Sequence, residues 1–232
     1  MSRILLLGAT GRTAAAILTT LPGTVEVTAA LRAPGDVGRL ADTRAALETV
    51  LVDITDTGSL RQAIAGDQVV VNAIRLREEI EPTELAALHD RIVTASAEAN
   101  GGNPALVVTV GGAGALRLPD GRRFWQDPAF PSRTLPRGRA HAELRDHLEA
   151  GSAGERWSYL IPPPAYLLDG AATHRWETLA PSSDESAFTR RSISYADFGA
   201  AVAQAVTSET VGTRLIAWPI APPDARRPSV SG

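Results

Sequence analysis

A doubly wound, mostly parallel α/β sheet with helices on both faces and a small C-terminal elaboration on the ligand side is the fold this sequence predicts. Three observations predict it. The chain opens as apolar run, glycine turn and helix; strand-like and helix-like stretches then alternate to about residue 218; and several apolar runs end in glycine or in a charged residue, at what would be the carboxyl edge of the sheet. Residues 1–218 read as one domain, with substrate-side loops at 118–136 and 162–192, and residues 219–232 as a disordered tail.

The first strand is Arg3-Ile4-Leu5-Leu6-Leu7, apolar throughout, as a parallel strand covered on both faces has to be. Gly8-Ala9-Thr10-Gly11-Arg12-Thr13-Ala14 interrupts it, and Ala15-Ala16-Ile17-Leu18 resumes as helix. A helix that opens straight after a glycine turn presents free backbone N–H groups and the positive end of its dipole, so an anion belongs there. Gly8 lets the chain leave the strand, Gly11 lets a pyrophosphate approach the main chain, and Ala14 lets the helix pack on the sheet. The Gly-x-x-Gly-x-x-Ala spacing is one residue longer in its first interval than the commonest dinucleotide fingerprint, and alone it also fits a mere packing device.

Val25 to Arg32 reads as the second strand. Where an NAD-selective fold places an acid stands Arg32, which suits a 2′-phosphate; a solvated arginine at a strand end is the plainer alternative. Leu47 to Val52 is the third strand. It ends at Asp53-Ile54, where Asp53 is placed to accept from an adenine amino group with Ile54 against the ring, or else to cap its own loop. Ser59 to Ile64 is a short helix, and after Gly66-Asp67 the run Gln68 to Ile74 is the fourth strand, with Asn72-Ala73 at the carboxyl edge. A long helix over 83–100 shows Leu85, Leu88, Ile92 and Val93 at helical spacing and stops at Asn100-Gly101-Gly102. Ala105 to Val110, the fifth strand, runs into Gly111-Gly112-Ala113-Gly114, either bare backbone for a flat ligand or a simple loop.

From Leu118 to Pro136 the chain is proline-bearing and carries Phe124, Trp125 and Phe130; so long a connection reads as a lid or substrate wall. A helix over Gly138 to Ala150 bears His141 and His147. Trp157 to Ile161 is the sixth strand, and Pro162-Pro163-Pro164 after it reads as a rigid pocket rim. Ala187 to Ile193 reads as a strand. Ser194, with Asp197 three residues on, starts a helix to about Val206, and Thr213 to Trp218 is the last strand.

Composition narrows the chemistry. The 232 residues, 44% of them hydrophobic, can bury one sizeable core. A net charge of −3 argues against nucleic acid as a partner, and the absence of cysteine excludes disulfides, thiolate catalysis and cysteine metal sites. All 23 basic residues are arginines, which closes every mechanism that needs a lysine ammonium or Schiff base. His89, His147 and His174 show no partner pattern for a metal, so none is expected; solvated or capping roles suit them. No apolar run approaches the roughly 18 residues of a membrane helix, and the start leads directly into a strand, so a cytoplasmic protein with no membrane partner, a monomer or homodimer, is expected.

Taken together, Leu7-Gly8-Ala9-Thr10-Gly11-Arg12, Leu31-Arg32, Val52-Asp53-Ile54-Thr55, Gly111 to Leu116, Asp127 to Pro131 and Ser192 to Asp197 make the chain resemble a known group. These are the atypical short-chain dehydrogenase/reductases of the NmrA-like and flavin-reductase (biliverdin-IXβ-reductase-like) kind, which have a Rossmann-like fold. The resemblance implies NADP(H) as cofactor. It assigns Gly8, Thr10, Gly11, Arg12 and Thr13 to the pyrophosphate, Arg32 to the 2′-phosphate, Asp53 and Ile54 to the adenine, and Ala73, Val110 and Gly111 to the nicotinamide side. On the substrate side the expected contacts are Gly112, Trp125, Pro163 and Tyr166.

The catalytic pair departs from the wider superfamily. Where its tyrosine and lysine would stand, the helix before the sixth strand has Arg137 and His141. Hydride transfer to a flavin or quinone makes a delocalised anion that solvent can protonate, whereas an isolated ketone becomes a basic alkoxide that needs a nearby acid. The expected function is therefore an NADPH-dependent reductase of a flat conjugated molecule such as a flavin, a quinone or an aromatic polyketide-type intermediate. His141 is the candidate catalytic residue, as proton donor or as orienter of the nicotinamide ribose; a surface histidine on an amphipathic helix is the alternative. Two other readings share the fold: a non-redox isomerase or cyclase, and a non-catalytic NADP(H)-binding sensor.

Overall fold

The computed structural model describes residues 2–64, 66, 69–75, 80–151 and 156–220. Its elements are β1 (Ser2–Leu7), α1 (Arg12–Thr20), β2 (Val25–Leu31), β3 (Ala46–Leu51), α2 (Thr57–Ile64), β4 (Val69–Asn72), α3 (Glu84–Ala99), β5 (Leu106–Val110), α4 (Leu135–Ala150), β6 (Trp157–Ile161), β7 (Ala165–Leu167), β8 (Glu177–Leu179), β9 (Ser192–Ser194), α5 (Tyr195–Thr207) and β10 (Gly212–Ala217). Asp67, Gln68 and the stretch of the expected tail from 221 onward lie outside the described residues.

One sheet runs in the order β3-β2-β1-β4-β5-β6-β10-β8, parallel throughout except for β8, which pairs antiparallel with β10. The apolar run of β1 is continuous because both faces are covered. Ile4 and Leu6 join the core under α1 and α5, with Ile17, Leu18, Phe198 and Val202, while Leu5 and Leu7 join the core under α2 and α3, with Leu60, Ile64, Leu88 and Ile92. A third cluster, with Leu116, Leu144, Tyr159 and Ile161, lies under α4. Each of these fully buried side chains contributes about 1.5–3 kcal/mol relative to exposure. Strand order reverses between β1 and β4, so their carboxyl ends diverge and leave the crevice in which ligands of such sheets bind.

Several boundaries differ from expectation. The α4 helix begins three residues before Gly138 and includes Pro136, which its first turn tolerates because that N–H has no helical partner. The 118–136 segment is not a bare loop: it holds short 3₁₀ turns at Phe124–Gln126 and Ser132–Thr134. Phe124 and Phe130 meet edge to face at 5.3 Å, and the Phe130 ring lies where a Cβ on Gly138 would sit, so this segment packs on the start of α4. The single strand expected over Ala187–Ile193 is instead a 3₁₀ helix, Ser186–Arg190, followed by β9. Its cause is local: Ser186 N donates to the Asp184 carboxylate and Phe188 N to the Glu185 carbonyl, while Phe188 is buried. β7 pairs with β9 in a separate two-stranded sheet, and β7 and β8 lie inside the 162–192 stretch read as loop. The Ser194 hydroxyl caps α5 by accepting from Asp197 N at 3.0 Å.

Candidate functional site

The glycine turn shows why its residues are needed. Gly8 has φ +75°, and a Cβ on it would lie 2.8 Å from the Ala73 carbonyl oxygen and 2.9 Å from the Ile74 Cα. Only glycine lets the end of β1 press against the backbone leaving β4. Gly11 N donates to the Gly8 carbonyl at 2.9 Å, and Gly11 is the N-cap of α1. No side chain caps that helix and its first turn holds no acid, so the leading N–H groups of α1 and its positive dipole end are open to an anion.

Beside this turn lies a cavity of ≈ 530 Å³ at the carboxyl ends of β1, β2 and β4. Gly8, Thr10 and Gly11 form one wall; Leu31, Val52 and Ile54 make an apolar slot; Ala73 and Ile74 line the β4 side. Three arginines, Arg32, Arg39 and Arg75, reach the same space, together with Asp36 and Glu84. Asp36 accepts from Arg39 at 2.9 Å, and Arg91 holds the Ile54 carbonyl at 2.9 Å. A slot of aliphatic side chains between an open helix start and a guanidinium rim has the chemistry for an adenosine flanked by phosphates. The cradle at Gly8 and Gly11 fits a pyrophosphate.

The residues singled out in sequence divide into two groups. Gly8, Thr10, Gly11, Arg32, Ile54 and Ala73 line this one cavity. Arg12 and Thr13 stand on the first turn of α1, with Arg12 exposed and the Thr13 hydroxyl 3.2 Å from the Tyr166 hydroxyl. The exposed Asp53 carboxylate accepts from both the backbone and the hydroxyl of Thr55; those bonds hold it below the usual carboxylate range, so it caps its own loop. Tyr166 stacks on Tyr195 at 3.8 Å, so the stack joins β7 to the start of α5 and the Thr13 hydroxyl joins β7 to α1. Pro163 is buried, and Trp125 is half-buried with the Arg139 guanidinium 5.9 Å over its ring; neither lines the cavity.

Val110, Gly111 and Gly112 stand at the end of β5, which pairs with β4 in the register Asn72–Thr109, and are not among the residues that line the cavity. A Cβ on Gly111 would lie 2.9 Å from the Leu160 carbonyl, and one on Gly112 would enter the His141 ring at 2.5 Å, so the glycines admit β6 and the imidazole. His141 is half-buried on α4, with Nδ1 2.9 Å from the hydroxyl of Tyr159 on β6. Burial, then the charge of Arg137, lowers its pKa to about 4, so the ring is neutral near pH 7. Burial pushes the Tyr159 phenol well above its ordinary value.

Sequence reasoning missed Tyr159, Arg39, Asp36 and Arg75. Strand alternation could have found the first: Tyr159 and Ile161 share the face that α4 covers, and His141 lies on that helix. Arg39 and Asp36 sit in a 3₁₀ turn, Pro34–Arg39, whose path no periodicity announces.

A family model described as NAD(P)H-binding matches residues 8–209. No curated protein matches the chain. Solved structures do, among them proteins named, each with the qualifier "putative", an exported protein of Burkholderia pseudomallei, an NADH-flavin reductase of Streptococcus pneumoniae and an epimerase of Bacteroides thetaiotaomicron. The first is 26% identical with a TM-score of 0.75, over 94% of this chain and 100% of its own. The second is 19% identical with a TM-score of 0.72, over 94% and 100%, and the third 19% with 0.76, over 94% and 97%. The last two likenesses speak for the fold alone.

Proposed function

The chain belongs to the NAD(P)H-binding family, and on that premise we propose that it is an NADPH-dependent reductase that transfers hydride to a flat conjugated small molecule. The observation that carries this reading is the ≈ 530 Å³ cavity at the reversal of strand order, with an uncapped helix start on one side and an arginine rim on the other. Gly8, Thr10, Gly11 and the first N–H groups of α1 would hold the pyrophosphate, Leu31, Val52 and Ile54 the adenine, and Arg32 with Arg39 the 2′-phosphate. When bound, the nicotinamide supplies hydride.

The residues near β5 support a conjugated acceptor. At neutral pH His141 carries no imidazolium proton, Arg137 stands where the resemblance puts the superfamily's tyrosine, and no lysine exists in the chain. These groups offer no ready general acid for an alkoxide, and a delocalised anion needs none because water can protonate it. The flavin-reductase name of the Streptococcus pneumoniae protein agrees with that substrate class.

The test mixes the protein with NADPH and a panel of flavins and quinones while following the nicotinamide absorbance. Consumption of NADPH with one of these acceptors is expected. NADPH bound but consumed with none would end the redox reading.

A further inference from the structure

We propose that Tyr159 is a positioning residue that holds His141 in its Nδ1–H tautomer, so that Nε2 meets a ligand as a hydrogen-bond acceptor. The argument is proton counting around one oxygen. The Tyr159 hydroxyl lies 3.1 Å from the His141 carbonyl oxygen and 2.9 Å from His141 Nδ1. A carbonyl has no proton to give, so the only proton that can stand between the two oxygens is the phenol's own. Once the phenol donates to the carbonyl, it has none left for Nδ1. Nδ1 must then donate, and the phenol oxygen accepts from Nδ1–H. The opposite tautomer would set the phenol and carbonyl oxygens against each other with no hydrogen between them, in a place where Tyr159 is fully buried.

A neutral imidazole with its proton on Nδ1 has a bare lone pair on Nε2. Nε2 has no hydrogen-bond partner among the described residues, and it lies 3.0 Å from where a Gly112 Cβ would be, at the edge where the glycines leave β5. A group that meets it has to bring an O–H or N–H, such as a sugar hydroxyl or a ring imide; a substrate presenting only a carbonyl oxygen there finds no donor. Burial and the neighbouring Arg137 keep the ring neutral at ordinary pH, so the tautomer decides its role. Tyr159 acts through the ring.

The identity of that ligand rests on the reductase reading, but the tautomer does not, so the two fail separately. The protein is labelled with ¹⁵N-histidine, and long-range ¹H–¹⁵N correlation spectra are recorded without ligand, with the His141→Gln variant assigning its signal among the four histidines. The expected result is a neutral His141 protonated at Nδ1, changing to the Nε2–H form in Tyr159→Phe, which takes away the acceptor that Nδ1–H has among the described residues. A proton on Nε2 in the unmodified protein overturns the proposal whether or not the variant folds. An unchanged Nδ1–H signal in Tyr159→Phe overturns the part assigned to Tyr159.

Discussion

Replacing Gly11 by aspartate should move stability and cofactor binding by very different amounts, because the same N–H groups serve both. Gly11 sits at the N-cap with φ −81° and ψ 160°, a conformation open to any residue. Aspartate is a favoured N-cap whose carboxylate would accept from the leading N–H groups of α1. Its advantage over glycine is a few tenths of a kcal/mol, and the dipole adds about 0.3–1 kcal/mol. Against this stands the new Cβ, which would lie 3.1 Å from the Gly8 carbonyl oxygen, tighter than ordinary contact. The net change should stay within about 1 kcal/mol, a shift of about 2–4 °C in Tm for a chain of this size. Binding loses much more. Charge-assisted hydrogen bonds are each worth about 1.5–3 kcal/mol, and two lost to the new carboxylate give about 3 kcal/mol or more, roughly 150-fold in Kd, before charge repulsion. Thermal melts without ligand and titration calorimetry with NADPH measure the two effects. An NADPH affinity within a few-fold of the parent, with the melt unchanged, would refute the placement of the pyrophosphate on α1.

The remaining expectations follow from other parts of the molecule. Arg32→Ala should cut the preference for NADPH over NADH by about 10- to 100-fold, measured as the ratio of the two dissociation constants; equal affinities in the parent protein would reject a 2′-phosphate contact. His141→Ala should lower turnover by less than the 10²–10⁴-fold of a general acid and leave no limb near pH 6.5 to abolish, because the folded ring titrates at about 4; a loss above a thousand-fold with binding intact would restore it as proton donor. His89 is buried with neither ring nitrogen partnered among the described residues, and burial lowers its pKa from 6.5 to about 4. The unfolded chain therefore binds the proton more tightly, so His89 favours folding fully above pH 6.5, and up to about 3 kcal/mol of that is lost as pH falls to 4. Urea titrations across that range should show the slope, and His89→Leu should reduce it to the share that His141, whose pKa is lowered to about 4 as well, contributes; an equal slope in the variant would assign it elsewhere. Arg145, fully buried, grips Glu185 through two nitrogens at 2.7 and 2.8 Å and also holds the Ala115 carbonyl. Arg145→Ala should cost about 3–5 kcal/mol by leaving Glu185 uncompensated, while Arg145→Ala with Glu185→Gln should recover part of it; no recovery in chemical melts would count against a charge effect.

Local chemistry alone determined a large share of this protein. The apolar run Ile4–Leu7, the turn from Gly8 to Gly11 and the helix after it are specified within a few residues of one another, because burial on both faces, a positive φ and an open helix start are short-range demands. The Ser194 cap belongs to the same class, since donor and acceptor lie three residues apart. What periodicity cannot carry is a partner that arrives from a distant element. Asp53 and Ile54 are neighbours in sequence, yet Ile54 lines the cavity while the Asp53 carboxylate turns back on Thr55. The rim arginine Arg39 and its companion Asp36 enter through a 3₁₀ turn with no buried residue to mark it. His141 could be named as a candidate from its helix, but its state comes from Tyr159, eighteen residues away on β6, whose hydroxyl it meets only because α4 packs on that strand. Hydrogen bonds between elements depend on the docking of whole surfaces, so the tertiary structure alone decided whether that imidazole gives a proton or accepts one.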